Sequence, residues 1–161
     1  MPISTKSCGP STEHCCLSRD DAASTQFTTK ERNLKRARVD VNNKWGAAIG
    51  YSRAVRAGNI IVVSGTSASG PDGVLHPGDA EQQTIVVLKR IGAALRELDA
   101  TIDDVVETRI FLRDMNDWEA VGKAHGSVFG DIRPATTMVQ AGALIDDGLL
   151  VEIAATAILA T

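Results

Sequence analysis

No stretch of about 18 consecutive apolar residues occurs in the chain, so nothing in it reads as a membrane-spanning helix. A basic excess is missing too: 17 Lys and Arg stand against 20 Asp and Glu, a net charge of -3. A nucleic-acid surface shows itself as clustered positive charge, so nucleic acid is not an expected partner. The N-terminus has no apolar core of secretory type, and Glu13, Asp20 and Asp21 argue against a transit peptide, which leaves the cytosol as the expected compartment. Cysteine is absent after residue 16. Cys8, Cys15 and Cys16 are odd in number and two are adjacent, which is no disulfide framework. Even with His14 beside them their spacing matches no closed zinc site, so no metal is expected.

Several catalytic signatures are lacking from the body as well. It has no cysteine nucleophile and no Gly-x-Ser-x-Gly elbow. Gly70-Pro71-Asp72-Gly73 is turn chemistry, without the Lys-Ser/Thr that a phosphate loop needs. His14, His76 and His125 fall in a tail, a loop and a helix, and His125, near an apolar stripe, reads as a partly buried structural histidine.

What is present is one domain's length, 161 residues, with 43% hydrophobic content, enough for a core. Residues 1–34 have hardly any large apolar side chains and read as a disordered tail, leaving a domain over 35–161. The basic run 30–38 could suggest a nuclear signal, but the alternation Leu34, Ala37, Val39, Val41 makes it the start of a first strand. Residues 47–56 read as a second strand, turned by Gly58-Asn59 into a third at 60–64. Gly70, Pro71, Gly73 and Pro77 make 67–78 a loop. Asp79 then caps a helix over 80–99, in which Thr84, Val87, Leu88, Ile91, Leu95 and Leu98 repeat at three and four.

A strand over 106–112 follows, then a helix capped by Asn116 or Asp117 and running to Phe129, with Trp118, Val121, His125 and Val128 near one stripe. Asp147-Gly148 between two β-branched runs predicts a hairpin of strands 136–141 and 149–158. The order defines an α+β domain: a mostly antiparallel sheet with two helices on one face. The other face would stay partly apolar through Val62, Ile110 and Val139, which invites self-association.

Glu152 is a lone carboxylate in the run Leu-Leu-Val-Glu-Ile-Ala-Ala, and it either points to a solvated sheet face or is kept for chemistry. Ser64 and Gly65, closing the strand that begins at Ile60, offer a hydroxyl and a backbone amide at a strand end. Tyr51, thirteen residues before Ser64, is either an ordinary rim tyrosine or a substrate neighbour.

The segments Gly-Asn-Ile-Ile-Val-Val-Ser-Gly-Thr (58–66), Arg-Pro-Ala-Thr-Thr-Met-Val (133–139) and Val-Glu-Ile-Ala-Ala (151–155) resemble the RidA/YjgF family of enamine and imine deaminases. The resemblance runs from about Trp45 to the C-terminus. It implies a chorismate-mutase-like α+β fold and a homotrimer whose sheets form a central barrel, with three clefts between subunits. It also implies cofactor-free hydrolysis of a small enamine or imine, with Glu152, Ser64 and Tyr51 in catalytic positions and Gly65, Thr136 and Arg133 against the substrate.

Such chemistry needs a positioned proton acceptor and donors that hold the developing charge. Thr136 departs from the pattern, because deaminating members carry there an arginine that pairs with the substrate's carboxylate; threonine has one donor and no charge. Either the substrate lacks that carboxylate, or Arg133 or Arg53 reaches it, or deamination is lost and the trimer binds a metabolite or a protein partner. Gly122 stands where members often carry asparagine, a lesser departure.

Overall fold

A computed structural model of the chain describes residues 35–41 and 44–160; the tail 1–34, with its three cysteines, and the strand position expected at Leu34 lie outside the described residues. Six strands form one sheet in the order β1 (Arg36–Val39), β2 (Ala54–Ala57), β3 (Ile60–Ser67), β8 (Val151–Ile158), β6 (Val105–Leu112), β7 (Ala135–Gln140). Between β3 and β6 come a small ribbon, β4 (Ser69–Gly70) and β5 (Gly73–Val74), inside the segment read as a loop, and the helix α2 (Ala80–Arg96). A six-residue helix, α1 (Lys44–Ile49), precedes β2, and α3 (Trp118–Phe129) joins β6 to β7. The expected α+β architecture is therefore the one observed, with a mostly antiparallel sheet.

The β2–β3 hairpin turns at Gly58-Asn59 as expected, and Gly58 takes φ 65°, where a side chain would be strained. Residues 47–56 are not one strand. The alanine-rich start of that segment coils into α1, Gly50 at φ 76° ends the helix, and only then does the chain extend into β2.

The expected hairpin over Asp147-Gly148 does not form either. The turn exists, with the Gly148 amide donating to Asp146 Oδ1 and the Leu149 amide to the Asp146 carbonyl. Its flanking strands, however, lie on opposite edges of β6: β7 pairs with β6 in parallel and β8 pairs with β6 antiparallel. A parallel pair needs a long crossover, which α3 supplies. The local turn signal was correct, and the choice of partner belongs to tertiary packing, because β8 alternates buried Val151, Ile153, Ala155 and Ala157 as a central strand between β3 and β6.

α2 supplies the core of the helical layer. Asp79 Oδ1 accepts from the Gln82 amide at 2.9 Å, and Thr84, Val87, Leu88, Ile91, Leu95 and Leu98 are all buried, as their spacing predicts. In α3 the buried residues are Val121, Ala124 and Phe129; Trp118 and Val128 are exposed, so the stripe drawn through them is displaced. His125 is half-buried, its ring 4.5 Å from that of Phe129.

The sheet's other face exposes Ile60, Val62, Val106, Val139 and Ile158. Ile110, expected there, is fully buried in the core with Thr108 and Leu112. A bulge between Val105 and Glu107 breaks the alternation, which leaves Val106 outside and sends the next even-numbered residues inward.

Candidate functional site

A cleft of about 1100 Å³ opens beside β3 and β8, with Arg90 of α2 in its wall, and Tyr51, Ser64, Gly65 and Glu152 all line it. Their convergence comes from a second bulge. Val63 is opposite Ala155 but Thr66 is opposite Ile153, so β3 carries one extra residue at Ser64-Gly65. The irregularity lifts that segment toward the Glu152 side chain, on the partner strand. The approach is close: a Cβ built on Gly65 would overlap the Glu152 carboxylate, with its Cδ only 2.9 Å away. Glycine here makes room for a carboxylate.

Arg53 fixes the bulge. Its Nη1 donates to the Gly65 carbonyl at 2.8 Å, to Thr66 Oγ1 at 2.9 Å and to Ser64 Oγ at 3.3 Å. Ser64 Oγ in turn donates to the Arg53 carbonyl at 3.1 Å, and Thr66 Oγ1 donates to the Ser64 carbonyl at 2.8 Å. The hydroxyl and the glycine are thus held by charge-assisted bonds from the Arg53 side chain and by neutral bonds from the Ser64 and Thr66 hydroxyls to backbone carbonyls, which leaves little freedom to the strand end.

Arg90, on α2, is a cleft residue that the sequence did not single out. It donates from Nη1 to the Ser67 carbonyl at 2.6 Å, and Ser67 is the strand partner of Glu152. Burial, followed by the nearby Arg53 charge, holds its guanidinium below the ordinary arginine value. Its signal in the sequence was slight: a basic residue directly before the buried Ile91, next to Lys89, reads as solvent face. Phe111, paired with Glu152 across β6 and β8, adds an apolar wall.

Thr136 and Arg133 are not brought to this cleft within one chain. Thr136 sits beside Thr108 and Glu152 beside Phe111; three residues apart on β6 means opposite faces of the sheet. Thr136 Oγ1 and Thr108 Oγ1 are 2.9 Å apart, and Thr108 Oγ1 is 3.1 Å from His125 Nε2. Burial lowers the His125 pKa from its usual value. Arg133 is exposed at φ 55°, its amide donating to the Phe129 carbonyl at 2.8 Å, so it turns the chain out of α3.

The fold and the site together define a small α+β protein with a carboxylate and two guanidiniums in a cleft beside a strand bulge. By residues 41–159, which match the family model described as Endoribonuclease L-PSP, the chain belongs to that family, the YjgF/RidA family. A Mycobacterium tuberculosis structure, a member of the YjgF/YER057c/UK114 family, is 46% identical at a TM-score of 0.71, covering 78% of this chain and 100% of that one. The 3-aminoacrylate deaminase RutC of Acinetobacter baylyi is 38% identical over 108 residues, 66% of this chain and 85% of the relative. Protein mmf2, mitochondrial, of Schizosaccharomyces pombe is 33% identical over 92 residues, 57% of this chain and 72% of the relative. Among the described residues no helix is long and apolar enough to cross a membrane.

Proposed function

We propose that the cleft hydrolyses small enamines or imines without a cofactor, giving a carbonyl compound and ammonia. The carrying observation is the Glu152 carboxylate seated against Gly65 at the Arg53-bound bulge, with Tyr51 and Ser64 lining the same cleft. In this reading an enamine first takes a proton at carbon and gives one up from nitrogen, becoming its imine. Glu152 then accepts a proton from water as the oxygen attacks the C=N carbon, and the nitrogen leaves as ammonia once protonated. Ser64 and the backbone at Gly65 hold the polar end of the substrate, and Tyr51 covers it. A relative named as a 3-aminoacrylate deaminase supports the substrate class.

The assembly that fits is a homotrimer. The sheet face exposing Ile60, Val62, Val106, Val139 and Ile158 has no cover within the described chain, and β7 is an edge strand with exposed residues along most of its length. Docking of β7 near a neighbour's cleft would bring Thr136 and Arg133 to a site their own subunit does not offer. The expected compartment is the cytosol and the expected partner a small molecule. RNA is not the substrate assigned, since a net charge of -3 gives no footprint for a phosphate backbone.

A second reading, a trimer that binds a metabolite or a protein partner without turning anything over, draws on Thr136, which supplies no guanidinium where deaminating members have one. The test is incubation of the purified protein with imines made in situ by an amino-acid oxidase, following ammonia and 2-oxo acid. The expected result is release faster than buffer hydrolysis. No acceleration with any imine, with or without a carboxylate, would leave the second reading.

A further inference from the structure

We propose that the Ser67 hydroxyl holds the attacking water together with Glu152, and that Ser69 sets the direction of that hydroxyl. The Glu152 carboxylate lines the cleft and accepts no hydrogen bond from any described residue. A half-buried carboxylate with open lone pairs and no protein donor is satisfied by water. One proton of such a water points to Glu152, and whatever takes the other decides where the oxygen's lone pairs are aimed.

The other oxygens at this end of β3 are engaged. The Gly65 carbonyl takes Arg53 Nη1, the Ser64 carbonyl takes Thr66 Oγ1, and Thr66 Oγ1 itself takes Arg53 Nη1. Ser64 Oγ gives its proton to the Arg53 carbonyl and accepts from Arg53 Nη1, so its last lone pair is what it offers the substrate. The Ser67 carbonyl takes Arg90 Nη1 at 2.6 Å. That leaves the Ser67 hydroxyl. Ser67 is the cross-strand partner of Glu152, which puts the two side chains on one sheet face with Cβ atoms about 4.5–5.5 Å apart. Two hydrogen bonds of about 2.8 Å through one water span a similar distance. Ser67 Oγ and Ser69 Oγ, both in the cleft wall, are 2.9 Å apart. With the Ser67 proton given to Ser69, the lone pairs of Ser67 Oγ are free to accept from the water. The backbone beneath is fixed, because buried Ala68 accepts from the Leu75 amide at 2.8 Å and Ser69 pairs with Val74. In the attack the O–H bond toward Glu152 breaks as the C–O bond forms and the C=N electron pair moves to nitrogen. The proton on Ser67 stays with the oxygen and is transferred to nothing.

The assignment rests on the proposed hydrolysis, and steady-state kinetics of the full-length protein with imines made in situ by an amino-acid oxidase tell the two apart. Ser67→Ala should lower kcat about tenfold, the worth of one hydrogen bond in the transition state. Its KM should stay within about twofold of wild type, because the water is no part of the substrate. Ser67→Thr keeps a hydroxyl and should restore most of the rate. Ser69→Ala should lower kcat about threefold, and the double variant should be no slower than Ser67→Ala alone, because Ser69 acts through Ser67. Ser69 is exposed, so if Ser67→Ala does not fold, an unchanged kcat in Ser69→Ala overturns the proposal. An unchanged kcat in Ser67→Ala, a raised KM at constant kcat, or a Ser67→Thr protein as slow as Ser67→Ala overturns the water assignment and leaves the deaminase reading standing. Losses that multiply in the double variant remove the role of Ser69. A wild type that hydrolyses no imine removes the deaminase reading, and this assignment with it.

Discussion

Replacing Gly65 with alanine separates the two roles that a glycine in a strand can have. Gly65 is not in the left-handed region, so alanine fits its backbone and should even gain from a stiffer unfolded chain, by about 0.4–1 kcal/mol. Against this stands the new Cβ, whose contacts are the Glu152 carboxylate oxygen, Cδ and Cγ. Ordinary contact begins near 3.4 Å and Cδ would be at 2.9 Å, so the carboxylate has to withdraw by at least about 0.5 Å, and its oxygen by more. The atoms in the way are the far end of a flexible side chain, so moving them costs little; the two effects leave stability within about 1 kcal/mol of wild type and the melting temperature within about 4 °C. Activity should respond differently, because displacing a catalytic group by about 1 Å costs on the order of a hundredfold. The assay is imine hydrolysis beside thermal melting of the same samples. A Gly65→Ala protein that melts like wild type and turns over at the wild-type rate would refute the idea that the bulge sets the position of Glu152.

Gln83→Leu should cost about 2–4 kcal/mol in denaturant unfolding, since fully buried Gln83 bonds the His76 and Gly148 carbonyls and the Leu150 amide, and leucine leaves all three groups without it. A wild-type midpoint would contradict that. Because the folded pKa of His125 lies below its unfolded value, the unfolded chain binds the proton more readily; the stability from neutral His125 is complete above about pH 6.5 and is lost as pH falls through that range. His125→Gln should therefore flatten the fall of the urea midpoint between about pH 7.5 and 5, and an unchanged slope would count against it. Light scattering at micromolar concentration should give three times the chain mass; a clean monomer mass would remove the intersubunit placement of Thr136 and Arg133.

What could be read in the sequence was whatever depends on neighbours along the chain. The cap at Asp79, the buried face of α2 and the Gly58-Asn59 hairpin all follow from spacing within a few residues. Strand partners do not: Asp147-Gly148 makes its turn, yet β6 lies between the strands it was expected to join. The two bulges were illegible for a related reason, since a β-bulge is a property of a pair and neither Val105-Val106 nor Ser64-Gly65 carries a mark of it in isolation. At the site, the residues at strand ends were legible through their motifs, whereas Arg90 resembles any solvent-facing basic residue until α2 is laid against β3. Placing Thr136 and Glu152 on opposite faces of the sheet required knowing that both pair with β6.

The most direct measurement is the rate of imine hydrolysis by Glu152→Gln against wild type, at equal folded concentration and with an imine that the wild type hydrolyses. The amide keeps the shape of the side chain and loses the proton acceptor, so the expected loss is about a hundredfold or more with a nearly unchanged melting temperature. Full turnover by Glu152→Gln would contradict the assignment and return Glu152 to the role of a polar residue on an open sheet face.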